Sequence, residues 1–495
     1  MAAASAPPTP ELVLPRRLDL YYGGAWRPAL SGRRTETRNP GSGERLGEVA
    51  EAGPEDIDAA LEAAKEGFGV WRDIPPLQRA LSLRELARRL RENGRELAML
   101  DAADCGNPVG EMYADAEAGA AQLDFFAGLV TEMKGASIPM GPDAVNFSVR
   151  EPLGVVARIL PFNHPLLFCA GKAGAILAAG NALVVKPPDQ APLSALRLTE
   201  LAEDLFPPGV WNVLPASREA SQHLAGHSGV AKVALVGSVP AGRAVMRAAA
   251  ETLKPVLLEL GGKNALIAFP DADPDEVAEA VVAGMNFAWC GQSCGSTSRA
   301  FLHADIHDAV LERITAAARR FRPGLPTDPT TTMGALASRA QYERTLRYIE
   351  TGRAEGARLV TGGGPPADPG LKDGFFIEPT IFAEVTPGMT IAREEIFGPV
   401  LSVLKWSDWD EMIGQVNAVE YGLTCSIWTH DLDQAHRTAA RAQAGFVWVN
   451  EVGRHFLGAP FGGYKSSGLG REECLDELLA FTQEKNIHIR LRGRR

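Results

Sequence analysis

Two cysteines, Cys290 and Cys294, stand in the stretch Asn286-Phe287-Ala288-Trp289-Cys290-Gly291-Gln292-Ser293-Cys294-Gly295-Ser296, among small and amide-bearing residues. A structural cysteine is ordinarily set in an aliphatic run. A nucleophilic thiolate instead needs room for an incoming carbon and donors for the charge that develops on its oxygen. Gly291, Gly295 and Ser296 leave the room, and Gln292 and the backbone N–H groups are candidate donors. A base is available as well: Glu259, in Glu259-Leu260-Gly261-Gly262-Lys263, precedes Cys294 by 35 positions. The acid and the thiol each sit in a glycine-flanked turn, and together they form a nucleophile and general-base pair if the fold brings them together. The structural alternative is two core cysteines at a helix-to-loop junction.

The elements that would position these groups are short apolar runs alternating with helical patterns. Between Arg150 and Ser238, strands are expected at Val155–Ile159, Ala182–Lys186, Val210–Val213 and Lys232–Val236, with helices at Leu166–Ala179, Ser194–Leu205 and Arg218–Ala225. Such alternation implies a parallel sheet covered on both faces, with ligands at the carboxyl ends of its strands. Three segments fall there: Pro161-Phe162-Asn163-His164-Pro165, Lys186-Pro187-Pro188-Asp189, and Gly237-Ser238-Val239-Pro240-Ala241-Gly242. The last opens a helix expected over Ala241–Leu253, whose free N–H groups suit a phosphate. Lys186 suits ribose hydroxyls or phosphate; Asp189 suits a ribose hydroxyl or a helix N-cap.

A second alternating region runs from Lys263 to Asn450, with strands expected near Ala265–Phe269, Arg299–His303, Ile381–Glu384, Val400–Leu404, Ser426–Thr429 and Phe446–Val449. Before Arg150 the chain reads mainly as helical cladding, at Pro76–Asn93, Arg95–Asp104 and Glu111–Met133. The alternating pattern within Leu479–Arg490 suits an edge strand that pairs with another subunit.

The chain has 495 residues with 50 basic and 61 acidic side chains, a net charge of −11, which argues against a nucleic-acid or anionic-membrane surface. The basic ending Arg490-Leu491-Arg492-Gly493-Arg494-Arg495 reads as a solvated tail. Six cysteines without a CxxC pair or Cys/His ligand spacing imply a reducing compartment, and no metal site is expected. The start shows no charged segment leading into an apolar run, and no stretch reaches the ~20 apolar residues that span a bilayer. The expectation is a soluble, cytoplasmic protein.

In its motifs the chain resembles the aldehyde dehydrogenase superfamily from about Leu18 to Ile489. The resemblance is carried by Pro161-Phe162-Asn163-His164-Pro165, Gly180-Asn181 with Lys186-Pro187, Gly237-Ser238 with Gly242, Glu259-Leu260-Gly261-Gly262-Lys263, Gly291-Gln292-Ser293-Cys294, Glu394-Glu395-Ile396-Phe397-Gly398-Pro399 and Pro460-Phe461-Gly462-Gly463-Tyr464-Lys465. It implies the NAD(P)-dependent, hydrolytic, non-CoA-acylating reaction, with Cys294 rather than Cys290 as the nucleophile. Asn163 and the Cys294 N–H would hold the oxyanion. Glu259 would activate water and also take the thiol proton earlier. Lys172 and Glu472 match a possible proton relay behind the site, or an ordinary ion pair. Cofactor contacts carry over to Ile159, Pro161, Phe162, Lys186, Asp189, Gly237, Ser238, Leu260, Glu395 and Phe397, with Gln341 and Arg344 in a more variable ribose-contact segment.

The resemblance implies an α/β fold with three parts: a Rossmann-like parallel-sheet cofactor domain (1–131 and 150–258), a second α/β catalytic domain (259–475) and a small β oligomerisation arm (132–149 and 476–495). A homodimer or homotetramer follows. Asp189 stands where relatives carry Glu; either carboxylate repels a 2′-phosphate, so NAD is expected over NADP. Pro215-Ala216-Ser217 lacks glycines common in the family, which puts that part of the cofactor pocket in question. His164, Phe168, Ser293, His455 and Phe461 would line the substrate pocket. Gly171, Gly295 and Gly453, where relatives often carry bulk, suggest a wide mouth and a bulky or aromatic aldehyde. Arg454 would instead suit a carboxylate-bearing semialdehyde. An aminoaldehyde, or a catalytically silent NAD-binding relative, completes the alternatives.

Overall fold

The computed structural model describes residues 11–491; the last four residues of the basic ending, 492–495, lie outside the described residues. Two large sheets organise the chain. The first has eight strands, in the order Gly468–Leu469, Val256–Glu259, Lys232–Val236, Val155–Ile159, Ala182–Lys186, Trp211–Val213, Leu20–Tyr22, Ala25–Arg27. Its five central strands are mutually parallel, and the strands at both ends join antiparallel. The central strands are apolar on both faces because helices cover both faces, burying two separate clusters.

Register fixes what the sheet presents. Ile159 pairs with Lys186 and with Leu235, and Val236 pairs with Glu259. Four strands therefore end at one level, and the segments that follow them gather along one rim. That is where an open parallel sheet binds its ligands.

The second sheet has seven strands, in the order Arg358–Thr361, Thr380–Ala383, Val400–Trp406, Arg299–His303, Ala265–Ala268, Thr424–Trp428, Phe446–Val449, all parallel except the first pair. A third, small sheet pairs Thr482–Arg490 antiparallel with Ala144–Pro152 over nine residue pairs, and Ser137–Ile138 adds to the other side of Ala144–Pro152. Thr482–Arg490 is thus an edge strand with one side open. The long strand Ala144–Pro152 runs across the boundary expected at 149/150. Among the described residues, no helix is long and apolar enough to cross a membrane.

Several elements differ from the sequence reading. The helix expected over Leu166–Ala179 is two helices, Pro165–Gly171 and Ala173–Ala178, broken at Lys172. The break turns that lysine inward, where it is bound by acids. The helix expected to reach Met133 ends at Gly128. The region read as helical cladding also holds a hairpin, Arg34–Arg38 with Arg45–Ala50, whose charged outer positions masked its strand pattern. Val256–Glu259 is a central-sheet strand absent from the expected set; at four residues it is too short to show a period.

Candidate active site

The loop carrying Cys294 is wound tightly. After the helix Pro274–Gly284, Asn286, Cys290 and Gly291 all have positive φ, at 55°, 54° and 65°. A Cβ on Gly291 would lie 2.3 Å from the Gly398 carbonyl oxygen, so only glycine passes that backbone. Cys290 is buried and its Sγ donates to the Gly334 carbonyl at 3.1 Å, a structural position. Gln292 corrects the expectation of a donor into the site. Its side chain is fully buried, its Oε1 accepts the Ala337 N–H at 3.0 Å, and its amide nitrogen is aimed back at the Trp289 carbonyl. It braces the loop from behind because that loop's N–H groups and carbonyls need partners inside the core.

Cys294 is the one partly exposed thiol of the six. Its carbonyl accepts the Asn264 Nδ2 at 2.7 Å, while its own N–H has no partner among the described residues. The thiol faces a cleft between the two large sheets. From the first sheet's rim come Pro161, Phe162, Asn163, Gly237, Ser238 and Glu259; the other wall supplies Glu395, Phe397, Gln341 and Arg344. Glu259, at the end of Val256–Glu259, is 3 % exposed, and its Oε1 has no hydrogen-bond partner among the described residues. Burial, reinforced by the Glu472 charge, pushes its carboxyl up to about 7, against the pull of Cys294, Lys172 and Arg158. Burial and the Glu259 carboxylate together push the Cys294 thiol well above its ordinary value. Asn163 is anchored through its backbone: its carbonyl accepts the Asn107 Nδ2 at 2.6 Å, and its side-chain amide remains directed to the cleft.

The opposite wall is equally constrained. Glu395 accepts the Gly262 N–H at 3.0 Å, and a Cβ on Gly261 would fall 2.1 Å from its Oε2, so the absence of a side chain at Gly261 admits the carboxylate. Burial pushes this carboxyl up to about 7. Phe397 takes a φ of 58° and meets Phe162 edge-on at 5.8 Å. Gln341 donates to the carbonyls of Ile396 and Phe397, and Arg344 to that of Glu395, so these two side chains hold the Glu395–Phe397 turn as well as lining the cleft.

Ser238 caps the helix Val239–Ala250, which begins two residues before the expected Ala241. Ser238 and Ile159 also line a groove that continues from the cleft between the helices Arg218–Gly226 and Val239–Ala250. Leu260 packs on Gly242, where a Cβ would lie 2.5 Å from its Cδ1. Lys186 is engaged by Asp189, which is half-exposed and caps no helix: the next one starts only after Pro192. Asp189 shares a second groove with Pro215, Ala216 and Ser217.

Behind Glu259 lies a buried ionic nest. Glu472 pairs with Lys172 at 3.0 Å and with Arg158 at 2.9 Å, and all three are about 2 % exposed or less. Burial disfavours the Lys172 charge, but Glu472, Glu473 and Glu477 outweigh it and hold the ammonium ionised. Arg158 and Glu473 were not singled out by sequence; the arginine inside the apolar run Val155–Ile159 was the available signal.

The aromatic members of the expected substrate pocket fall into two clusters. His164 meets Trp289 at 4.6 Å and Phe168 at 5.9 Å, and its Nδ1 is 2.7 Å from Asp115. Burial works against the imidazolium, yet Asp115, Asp101 and Glu111 raise its pKa on balance. His455 packs on Phe461 at 4.5 Å and bonds Glu473. Ser293 is partly exposed beside the thiol. Space is open at Gly295 and Gly453, but not at Gly171, where the Gln122 amide occupies the position a Cβ would take. The wide mouth expected from three glycines therefore rests on two. Arg454 is exposed, stacks on Phe456 and lies 3.9 Å from Glu451, which is the solvated, paired state.

Away from the cleft, among the described residues, Asp58, His223 and His227 gather their polar atoms closely. His227 accepts the Gly229 N–H on Nδ1, and its Nε2 lies 3.4 Å from the Asp58 carboxylate, to which His223 is hydrogen-bonded at 2.6 Å.

The geometry has counterparts in known proteins. The Aldehyde dehydrogenase family model matches residues 26–487. The chain is 52% identical over 499 residues to "Aldehyde dehydrogenase tropH" of Talaromyces stipitatus, covering 99% of this chain and 96% of that one. Among solved structures it is similar to a putative aldehyde dehydrogenase from Burkholderia cenocepacia, with a TM-score of 0.94, 39% identity, and 96% and 97% of the two chains covered. It is also similar to the indole-3-acetaldehyde dehydrogenase AldA of P. syringae in complex with NAD+ and IAA, with a TM-score of 0.94, 36% identity and 97% of each chain covered.

Proposed function

The chain belongs to the aldehyde dehydrogenase family, and from that premise we propose that it oxidises a bulky or aromatic aldehyde to the carboxylic acid with NAD, through Cys294. The observation that carries the reading is that Cys294, Glu259 and Asn163 line one cleft, with the acid buried beside the thiol.

The residues present fit a dinucleotide. The cleft passes Ser238 into the groove between two helices, and the carboxylate of Glu395 is held at the cleft wall by the Gly262 N–H. Glu395 would hold the nicotinamide ribose, Phe397 and Phe162 would flank the ring, and Lys186 and Asp189 would meet the adenosine ribose. Asp189 favours NAD, since its charge repels a 2′-phosphate. The nicotinamide, when bound, accepts the hydride that turns a thiohemiacetal into a thioester.

Every other task falls to the chain itself. The Cys294 thiol, above its ordinary pKa, must give up its proton to attack the aldehyde carbon, and Glu259 at about 7 is matched to receive it. The Asn163 amide and the free Cys294 N–H hold the oxyanion at fixed positions. Glu259 then takes a proton from water as it attacks the thioester, the carbon–sulfur bond breaks, and the thiol is restored. The presence of Glu259 speaks against transfer to CoA, which needs no water-activating carboxylate.

The substrate class is supported by the aromatic walls His164–Trp289–Phe168 and His455–Phe461, and by the indole-3-acetaldehyde named for the P. syringae neighbour. Arg454, exposed and near Glu451, gives a semialdehyde carboxylate no buried partner. The open side of Thr482–Arg490 supports a homo-oligomer built on the arm 132–149 and 476–495. The test is NADH formation with purified protein, NAD or NADP, and aliphatic, aromatic, amino- and semialdehydes, with Cys294→Ala alongside. Highest kcat/KM for acetaldehyde or succinate semialdehyde would overturn the substrate class; turnover by Cys294→Ala would overturn the mechanism.

A further inference from the structure

We propose that Asp58, His223 and His227 form a binding site for a divalent ion of the zinc class, set between the helices Pro54–Trp71 and Arg218–Gly226 and away from the catalytic cleft.

The site is built from a short spacing and a long one. His223 lies in the last turn of Arg218–Gly226, and His227 is the residue that closes the helix, with φ −63° and ψ 134°. Four positions apart, the two imidazoles come to one side of the helix end. Asp58 stands on the facing helix, 165 positions before His223. Ile57 and Leu61 of one helix and Leu224 and Ala225 of the other belong to one buried cluster, so apolar packing sets the distance between the helices. The expectation of no metal site rested on cysteine spacing. A pair of histidines completed by a remote acid leaves only the four-residue interval as a signal.

Both Nε2 atoms are turned to one carboxylate oxygen. Asp58 Oδ1 lies 2.6 Å from His223 Nε2 and 3.4 Å from His227 Nε2, and the three donor atoms fall within 4.8 Å of one another. Zinc, with bonds of ~2.0–2.1 Å, sets tetrahedral ligand atoms about 3.3 Å apart. The His227 contact has that separation. The His223 contact reaches it by opening about 0.7 Å, a small change for an aspartate whose side chain is 54% exposed. Two neutral imidazoles and one carboxylate suit Zn²⁺, with Ni²⁺ and Cu²⁺ as competitors, better than the oxygen-seeking Mg²⁺ or Ca²⁺. All three side chains are partly open to solvent, so water completes the coordination.

Hydrogen bonding alone accounts for part of this arrangement. His223 and Asp58 make an ordinary pair, but His227 Nε2 faces the same oxygen without a hydrogen bond to it. Its Nδ1 accepts the Gly229 N–H at 3.0 Å. An ion on Nε2 places the imidazole proton on Nδ1, so that contact opens, and the exposed Gly229 turns its N–H to water. One surface hydrogen bond is thus exchanged for a metal–nitrogen bond. The other side of Arg218–Gly226 lines, through Ser221, Gln222 and Ala225, the groove that continues from the cleft. The ion would tie that wall to the helix Pro54–Trp71.

The test titrates Zn²⁺ into the full-length chain carrying Cys294→Ala, so that the partly exposed thiol does not compete; the other five cysteines are buried. Equilibrium dialysis is expected to give one ion per chain, and a thermal melt a rise of ~2–4 °C that EDTA reverses. His223→Ala and His227→Ala are each expected to weaken binding about tenfold or more, ~1.4 kcal/mol, and to lose the zinc-dependent rise. Asp58→Asn, which still offers His223 an acceptor, separates loss of a ligand from loss of packing and is expected to weaken binding as well. His436→Ala, an exposed histidine on another helix, is the control and keeps the site. With Co²⁺ in place of zinc, the visible spectrum should show nitrogen and oxygen ligation without a thiolate charge-transfer band. No binding in the micromolar range, binding that survives both histidine variants, or a thiolate band would overturn the proposal.

Discussion

Asn264 donates from one side-chain nitrogen to the Cys294 carbonyl at 2.7 Å and to the Ser296 carbonyl at 3.0 Å, while its Oδ1 accepts the Thr424 N–H at 3.0 Å. One buried amide thus ties the nucleophile's loop to the strand Thr424–Trp428 of the second sheet. Asn264→Ala strands two carbonyls and an N–H. It is expected to cost about 2–4 kcal/mol of stability and to lower kcat more than it weakens NAD binding. A thermal melt and a fluorescence titration of NAD, run beside the rate, check both.

The two cysteines of one loop should separate cleanly. Cys294→Ala is expected to abolish NADH formation. Cys290→Ala, which loses one buried hydrogen bond to Gly334, keeps most of the rate at a cost of about 1–2 kcal/mol. A limiting amount of iodoacetamide, followed by peptide mapping, should label Cys294 ahead of the five buried cysteines, and more so as pH rises.

Glu259 ties activity to stability with a definite sign. Its folded carboxyl is raised to about 7 from an ordinary 4.5, so its contribution to stability is full below 4.5 and is lost as pH rises through 7. Activity runs the other way, because the ionised base is the working form. Deacylation is therefore expected to rise with pH up to and slightly past 7. Glu259→Gln should abolish the rise, yet melt higher than wild type at pH 8 by the equivalent of roughly 3 kcal/mol, with the difference vanishing near pH 4.5. Melting curves across that range, run on both proteins, decide it.

Asp189 engages Lys186 at the rim of the first sheet. Asp189→Ala removes the charge that repels a 2′-phosphate and frees the ammonium to meet one. KM for NADP is expected to fall about tenfold or more, a change of ~1.4 kcal/mol, while kcat with NAD stays within a few-fold. An unchanged NADP/NAD preference would remove Asp189 from the cofactor assignment.

Asp115, Asp101 and Glu111 raise the pKa of His164, against the effect of its burial beside Trp289. Asp115→Asn weakens that support, and the imidazole is expected to lose its proton at a lower pH than in the wild type. The effect should appear in KM for aromatic aldehydes rather than in first-turnover kcat, as measured over pH 6 to 9.

The sequence by itself determined the family and located most strands along the chain, and its motifs singled out Cys294 and Glu259 as the candidate thiol and acid. Those are local facts: apolar runs of strand length, glycines flanking an acid and a thiol, and motifs in a fixed order. Helix boundaries and short strands such as Val256–Glu259 were less legible, because four apolar residues carry no period and a pattern such as Leu166–Ala179 does not show where a buried ion pair will break it.

Tertiary structure alone decided which way side chains point. Gln292, a candidate oxyanion donor on paper, turns inward to satisfy Ala337, because an unpaired N–H in the core would cost more than the glutamine gains elsewhere. Gly171 promised space that Gln122, nearly fifty positions earlier, already fills. Arg158, Lys172, Glu472 and Glu473 become one nest only because strands and turns far apart in sequence converge behind Glu259. Charge pairing of that kind is a property of distance, and distance across a fold is not written in spacing along the chain.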